Sequence, residues 1–174
     1  IIYGATGFTG QLCVKYFKSL NTSVKWAIAG RNKEKLQQVA EDNSVDVEIL
    51  IADSDNEAEL DVLTSRAKVM LSTTGPFHRY GSKLVASCVK NCSHYVDITG
   101  ENFWVKGIIA KHHEEASAKG IRIIPSCGYD SIPSDLGVFY SAKALNKPIK
   151  RIESFHSWKG GASGGTLETM FSMG

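Results

Sequence analysis

The chain has 174 residues, 43% of them hydrophobic and 22% charged, which is material for one domain of ordinary size, or one plus a fragment, and excludes a large multidomain assembly. Its 20 basic and 18 acidic side chains leave a formal charge of +2, with neither a basic stretch nor stacked aromatics, so counterion-driven nucleic-acid binding is excluded. Cys13, Cys88, Cys92 and Cys127 show no paired spacing, which points away from a disulfide framework or a metal site and towards a reducing, intracellular and cytoplasmic setting; no apolar run approaches a membrane span, so a soluble chain is expected.

Strand-length apolar runs alternate with helix-length segments. The first run, residues 1–3, meets Gly4-Ala5-Thr6-Gly7-Phe8-Thr9-Gly10. A three-residue strand is short against the usual five or six, so a few further residues are expected upstream. Glycines at a strand-to-helix turn permit a tight bend, let backbone N–H groups approach a pyrophosphate and allow close helix–strand packing. Gly4, Thr6, Gly7, Phe8, Thr9 and Gly10 are therefore the expected diphosphate-binding residues. The spacing is G-x-x-G-x-x-G, a variant of the dinucleotide fingerprint. A helix over residues 9–20 follows, with Leu12, Tyr16 and Leu20 on one face.

The second strand, residues 24–29, leads into Gly30-Arg31-Asn32. An NAD site places an acidic residue here for the ribose hydroxyls; a guanidinium instead grips a 2′-phosphate, so NADP is favoured over NAD. Asn32 is assigned to the cofactor site and is also a possible N-cap for a helix over 33–40. The third strand, 47–52, ends at Asp53, placed either to touch adenine or to cap the next turn. A helix over 56–65 and a fourth strand over 69–73 lead to Thr74-Gly75-Pro76-Phe77. Its backbone can pass close to the nicotinamide ribose, which assigns Thr74, Gly75 and Pro76 to the cofactor; a rigid turn with Phe77 in the core is the alternative.

After a helix over 81–90 and a strand over 95–98, Asp97 and Glu101 flank Gly100. These carboxylates can orient a substrate or exchange a proton, or Asp97 can cap the Thr99 or Gly100 backbone. A helix over 106–119 and a strand over 121–124 precede Cys127-Gly128-Tyr129-Asp130-Ser131, where Tyr129 is a candidate proton donor and Asp130 a candidate catalytic acid or the N-cap of a helix starting near Pro133. His78 is a candidate acid or a surface residue. His112 and His113 are adjacent and point about 100° apart on a helix, unable to form an i, i+4 metal pair. No metal is expected. Parallel strands joined by helices give an α/β doubly wound sheet of Rossmann type.

Short-chain dehydrogenases carry a Tyr-x-x-x-Lys pair, but the residues four positions after the tyrosines are Gly7, Leu20, Leu84, Thr99, Pro133 and Ala144. That pair is absent, which also speaks against an epimerase or dehydratase of that class. The segments Tyr3 to Gly10, Ala29 to Asn32, Thr74 to Phe77 with Tyr80-Gly81, Tyr95 to Glu101 and Cys127 to Gly137 together resemble the saccharopine dehydrogenase-like oxidoreductases. The likeness is greatest to the branch with the animal saccharopine dehydrogenase-like oxidoreductase and the mycobacterial trans-acting enoyl reductases; Gly160 to Thr166 resembles that branch too. The resemblance implies an NADP-binding Rossmann domain over 1–137, then over 138–174 a connecting helix and the first elements of a second α/β domain, opening with a strand over 149–158. It implies a longer full chain, hydride transfer to or from a small-molecule or lipid-like substrate, a homodimer through the further domain, and association with a lipid droplet or membrane. The alternative is a non-catalytic protein whose NADP(H) occupancy controls a partner. The run over 160–165 is a loop with backbone donors for an anion or a flexible connection, and a helix is expected over 166–173.

Overall fold

Six of the seven expected strands form, with ends trimmed or shifted, in a computed structural model that describes residues 1–157, 159–161 and 163–173. They are β1 (Ile2–Tyr3), β2 (Ala27–Gly30), β3 (Glu48–Ile51), β4 (Val69–Ser72), β5 (His94–Asp97) and β6 (Ile123–Ile124). The helices are α1 (Phe8–Ser19), α2 (Lys33–Asp42), α3 (Glu57–Ser65), α4 (Phe77–Lys90), α5 (Asn102–Ala118), α6 (Ile132–Leu145) and α7 (Gly164–Met173). Every strand pairing is parallel and the order is β3-β2-β1-β4-β5-β6, the doubly wound arrangement whose switch point lies between β1 and β4.

Side chains alternate across the sheet and sort into two cores. Ile2 and Ile28 join Ala5, Val14, Leu36 and Val39 under α1 and α2. Tyr3, Ala29 and Met70 face the opposite side, with Leu60, Leu84 and Trp104 from α3, α4 and α5. With both faces covered, β2 reads as an unbroken apolar run, and all four of its residues are buried. Glycine permits two close approaches here: a Cβ on Gly10 would stand 2.2 Å from the Gly4 carbonyl oxygen, and one on Gly81 would stand 2.7 Å from Cζ2 of Trp104.

Helix starts differ where capping is not local. Asn32 Oδ1 accepts the Lys35 N–H at 2.7 Å and Asn56 Oδ1 the Glu59 N–H at 3.3 Å, so α2 and α3 begin at their own asparagines. By contrast, α4 begins at Phe77 and α5 at Asn102, each one turn ahead of the amphipathic stretch: Glu101 holds the first N–H groups of α4, and in the first turn of α5 the Trp104 indole N–H donates to Ser82 Oγ at 2.9 Å. The Gly75–Pro76 peptide bond is cis.

Beyond the sheet, α6 runs unbroken through residue 137 with no buried residue, leaving Leu136, Phe139 and Tyr140 exposed. Asp130 does not cap it: Ser131 occupies the N-cap position and makes no side-chain cap bond. Residues 149–157 form no strand, and Phe155 is exposed; a strand needs a ladder partner, and none lies beside this segment among the described residues. Trp158, the last residue of that expected strand, and Ala162, within the glycine run, lie outside the described residues. The final helix starts at Gly164, with Ser163 Oγ accepting the Thr166 N–H at 3.2 Å. No helix among the described residues is long and apolar enough to cross a membrane.

Candidate cofactor cleft

At the carboxyl edge of the sheet, the turn between β1 and α1 is shaped by its glycines. Gly4 takes φ +84°, its N–H donates to the Ala29 carbonyl at 2.9 Å, and the Gly7 N–H donates to the Gly4 carbonyl at 3.0 Å. Gly7 is the N-cap of α1 and offers no side chain to the first-turn N–H groups. Those donors have no intrahelical acceptor, so a helix N-terminus with its partial positive charge faces the cleft. Thr73 Oγ1 donates within 3.1 and 3.2 Å of the Gly4 and Tyr3 carbonyls, tying the end of β4 to this turn.

The cleft in front of the turn measures about 410 Å³. Gly4, Thr6, Gly7, Phe8 and Thr9 line it, as do Arg31 from the end of β2 and Thr74 and Gly75 from the end of β4. Gly10 is the point of helix–strand contact beneath. Pro76 stands behind as the N-cap of α4. Asn32 has its side-chain oxygen engaged with Lys35. Asp53 Oδ1 accepts the Asp55 N–H at 2.9 Å, the turn-capping alternative, and the neighbouring Ser54 faces the cleft instead. Ser54 and Thr73 line the cleft without having been assigned to it in the sequence, their signal being adjacency to the strand ends; Tyr80, quoted only for the family resemblance, also lines it from α4. Thr74 Oγ1 is buried without a partner, and a Cβ on Gly4 would stand 2.4 Å from it. These features fit a dinucleotide: backbone that approaches a diphosphate closely, an uncapped helix terminus behind it, and a guanidinium at one end.

A second chamber of about 260 Å³ shares Thr9, Thr73 and Gly75 with the cleft and extends to Phe77, Ile98, Glu101 and Asp130. The Asp130 carboxylate lies over the backbone of two loops, 2.8 Å from where a Cβ on Gly128 would sit and 3.7 Å from one on Gly100. Asp97 is buried and fully engaged. Its Oδ1 accepts the Thr99 N–H at 3.0 Å and the Ser126 N–H at 2.9 Å, and its Oδ2 accepts the Tyr95 hydroxyl at 2.8 Å. Burial pushes its carboxyl above the usual range, against the pull of these hydrogen bonds. Burial, reinforced by the Asp97 charge, likewise holds the Tyr95 hydroxyl well above its ordinary value.

Glu101 is buried as well, accepting from the Phe77 N–H on Oε1 at 2.8 Å and from the His78 N–H on Oε2 at 2.8 Å, with His78 Nδ1 2.7 Å from the same Oε2. Tyr129 is 83% exposed and lines neither space. Cys127 has its thiol pushed up by burial. Ser163, just ahead of α7, and Gly165 within it border both spaces, and Glu168 of α7 stands 3.9 Å from Arg79. Among the described residues, no three His, Cys, Asp or Glu side chains gather as a metal-ligand set.

Residues 1–124 match the family described as saccharopine dehydrogenase NADP binding domain. The chain is 38% identical over 179 aligned residues to the saccharopine dehydrogenase-like oxidoreductase of Mus musculus, covering 94% of this chain and 42% of that protein. It is 40% identical over 142 residues to the trans-acting enoyl reductase of Mycobacterium leprae (strain TN), covering 80% of this chain and 34% of that one. It thus spans less than half the length of either relative. Among solved structures, an apo histidine-tagged saccharopine dehydrogenase (L-Glu forming) from Saccharomyces cerevisiae superposes with a TM-score of 0.69 at 16% identity, covering 83% of this chain and 30% of that one. A Citrobacter sp. triphenylmethane reductase complexed with NADP(H) gives 0.54 at 16% identity, covering 82% and 54%. At these identities, the two structures bear on the fold alone.

Proposed function

This chain belongs to the saccharopine dehydrogenase NADP-binding family, and from that premise we propose that it is the dinucleotide half of an NADP-dependent oxidoreductase acting on a small-molecule or lipid-like substrate. The observation that carries the reading is the uncapped first turn of α1 behind a glycine-lined bend, with Arg31 in the same cleft. The first-turn N–H groups hold the diphosphate, Gly4 and Gly10 let it approach, and the Arg31 guanidinium takes the 2′-phosphate in a paired, charge-assisted contact. Thr73 and Gly75 border both spaces, which supports a nicotinamide end beside the chamber. When bound, the nicotinamide supplies or accepts a hydride at C4.

Within the chamber, Asp130 is the carboxylate left to orient a substrate or hold a proton, since Asp97 and Glu101 spend their oxygens on backbone, Tyr95 and His78. Changing Arg31→Asp should lower the NADP over NAD affinity ratio of the full-length protein by about 100-fold or more, as loss of a charge-assisted pair and its replacement by repulsion imply; an unchanged ratio in calorimetric titration would count against the assignment.

The same engagement of Asp97 and Glu101 favours a second reading, an NADP(H)-binding protein that turns nothing over. Titrating full-length protein with NADPH and then supplying enals, enones and imines separates the two. Oxidation of the cofactor with any of them supports the enzyme, and saturable binding without oxidation supports the binder.

A further inference from the structure

Glu101 begins α5, yet the groups it holds belong to the first turn of α4, more than twenty positions earlier. Pro76, the N-cap of α4, makes no side-chain cap bond, so the Phe77 and His78 N–H groups depend on this carboxylate. It is a charged acceptor at a helix N-terminus, where the helix dipole favours a negative charge. Its side chain is wholly buried, so the contact is fixed in place and shielded from water.

What the carboxylate fixes is the wall between the two spaces. Gly75 borders both the cleft and the chamber, and Phe77 borders the chamber. The Phe77 ring lies against Gly75, with Cε2 3.4 Å from where a Gly75 Cβ would sit, and it packs in the core beside the Trp104 ring at 5.8 Å between centroids. A shift of the Glu101 carboxylate therefore moves Phe77, and through Phe77 the Gly75 backbone. On the adenine side, Arg31 and Ser54 stand on different strand ends and share no contact with Glu101.

We infer that Glu101 is a positioning residue for the nicotinamide end of the dinucleotide, acting through Phe77 and Gly75, with the His78 ring as its second anchor. This rests on the NADP reading above and assigns Glu101 no direct part in proton transfer. The reason is that three donors already hold its two buried oxygens.

The test compares two ligands on the full-length protein: NADPH, and 2′-phospho-ADP-ribose, the same molecule without the nicotinamide ring. Glu101→Gln should leave 2′-phospho-ADP-ribose affinity within about twofold while weakening NADPH about tenfold, the cost of roughly one well-made contact, and should alter the emission of bound NADPH. Asp61→Asn provides the control for general loosening, because Asp61 holds Ser87 at the other end of α4 at 2.7 Å; it should lower thermal stability and leave the ratio of the two affinities unchanged. Proportional weakening of both ligands by Glu101→Gln, or of neither, overturns the inference. If Glu101→Gln does not fold, His78→Leu removes only the ring contact: a smaller selective loss of NADPH supports the inference, and an unchanged ratio overturns it. Wild-type protein that takes up neither ligand would overturn the NADP reading itself, an outcome distinct from the others.

Discussion

Asp97 shows how much depends on the partners of a single carboxylate. It receives two backbone N–H groups and one hydroxyl, and it is buried. An asparagine can keep all three bonds, its carbonyl accepting from Thr99 and Ser126 while its amide donates to Tyr95, whose hydroxyl can reverse its role. Asp97→Asn should therefore change stability by no more than about 1 kcal/mol, whereas Asp97→Ala, which strands buried donors, should cost about 3 kcal/mol or more in urea unfolding. The pH dependence has a definite sign. Burial raises the folded carboxyl above its ordinary 3.8, so the fold prefers the protonated form. This contribution is fully present below that ordinary value and is lost as pH rises to the raised one, with a plateau above. Wild type should lose stability relative to Asp97→Asn across that window, and parallel curves would refute the shift. The chain itself displays two carboxylates close together after a strand, and both are at the sheet edge as expected. Their engagement was hidden because the groups that occupy them, Ser126 for Asp97 and Phe77 and His78 for Glu101, come from distant segments. The placement of Arg31, Thr74 and the glycine turn around one cleft was legible because it depends only on strand ends.

At the level of elements, sequence and structure agree wherever the determinants are local. Asn32 and Asn56 begin their helices by bonding their own third residue onward, so the starts of α2 and α3 can be read directly. Asn32→Ala should cost about 1 kcal/mol of stability, typical of a lost N-cap, and leave NADP affinity nearly unchanged by calorimetry, because its side-chain oxygen serves Lys35. A large loss of affinity would instead restore Asn32 to direct cofactor contact. Strand periodicity carried equally well, since burial on both faces produces the apolar runs of a parallel sheet. The starts of α4 and α5 and the unpaired residues 149–157 were not readable in the same way. Their conformation is decided by partners elsewhere in space, or by the lack of a ladder partner, and neither leaves a mark in a short window of residues.

Across the whole molecule, the doubly wound sheet is tightly paired while the stretch after β6 is loosely held. Among the described residues, those after α6 lack strand partners, and Lys150 and Arg151 are exposed. Limited trypsin treatment of the 174-residue chain should cut there first, and earlier cleavage at Arg66 or Lys90, exposed but at the ends of the packed helices α3 and α4, would contradict this ranking. At the opposite end, α1 lacks the side-chain cap that α2 and α3 possess. A dinucleotide diphosphate that answers those open donors adds its binding free energy to the native state alone, about 2.7 kcal/mol at a hundredfold excess over the dissociation constant. Occupancy at the undecorated start of this one helix would therefore tie the margin of the fold against unfolding to the supply of coenzyme.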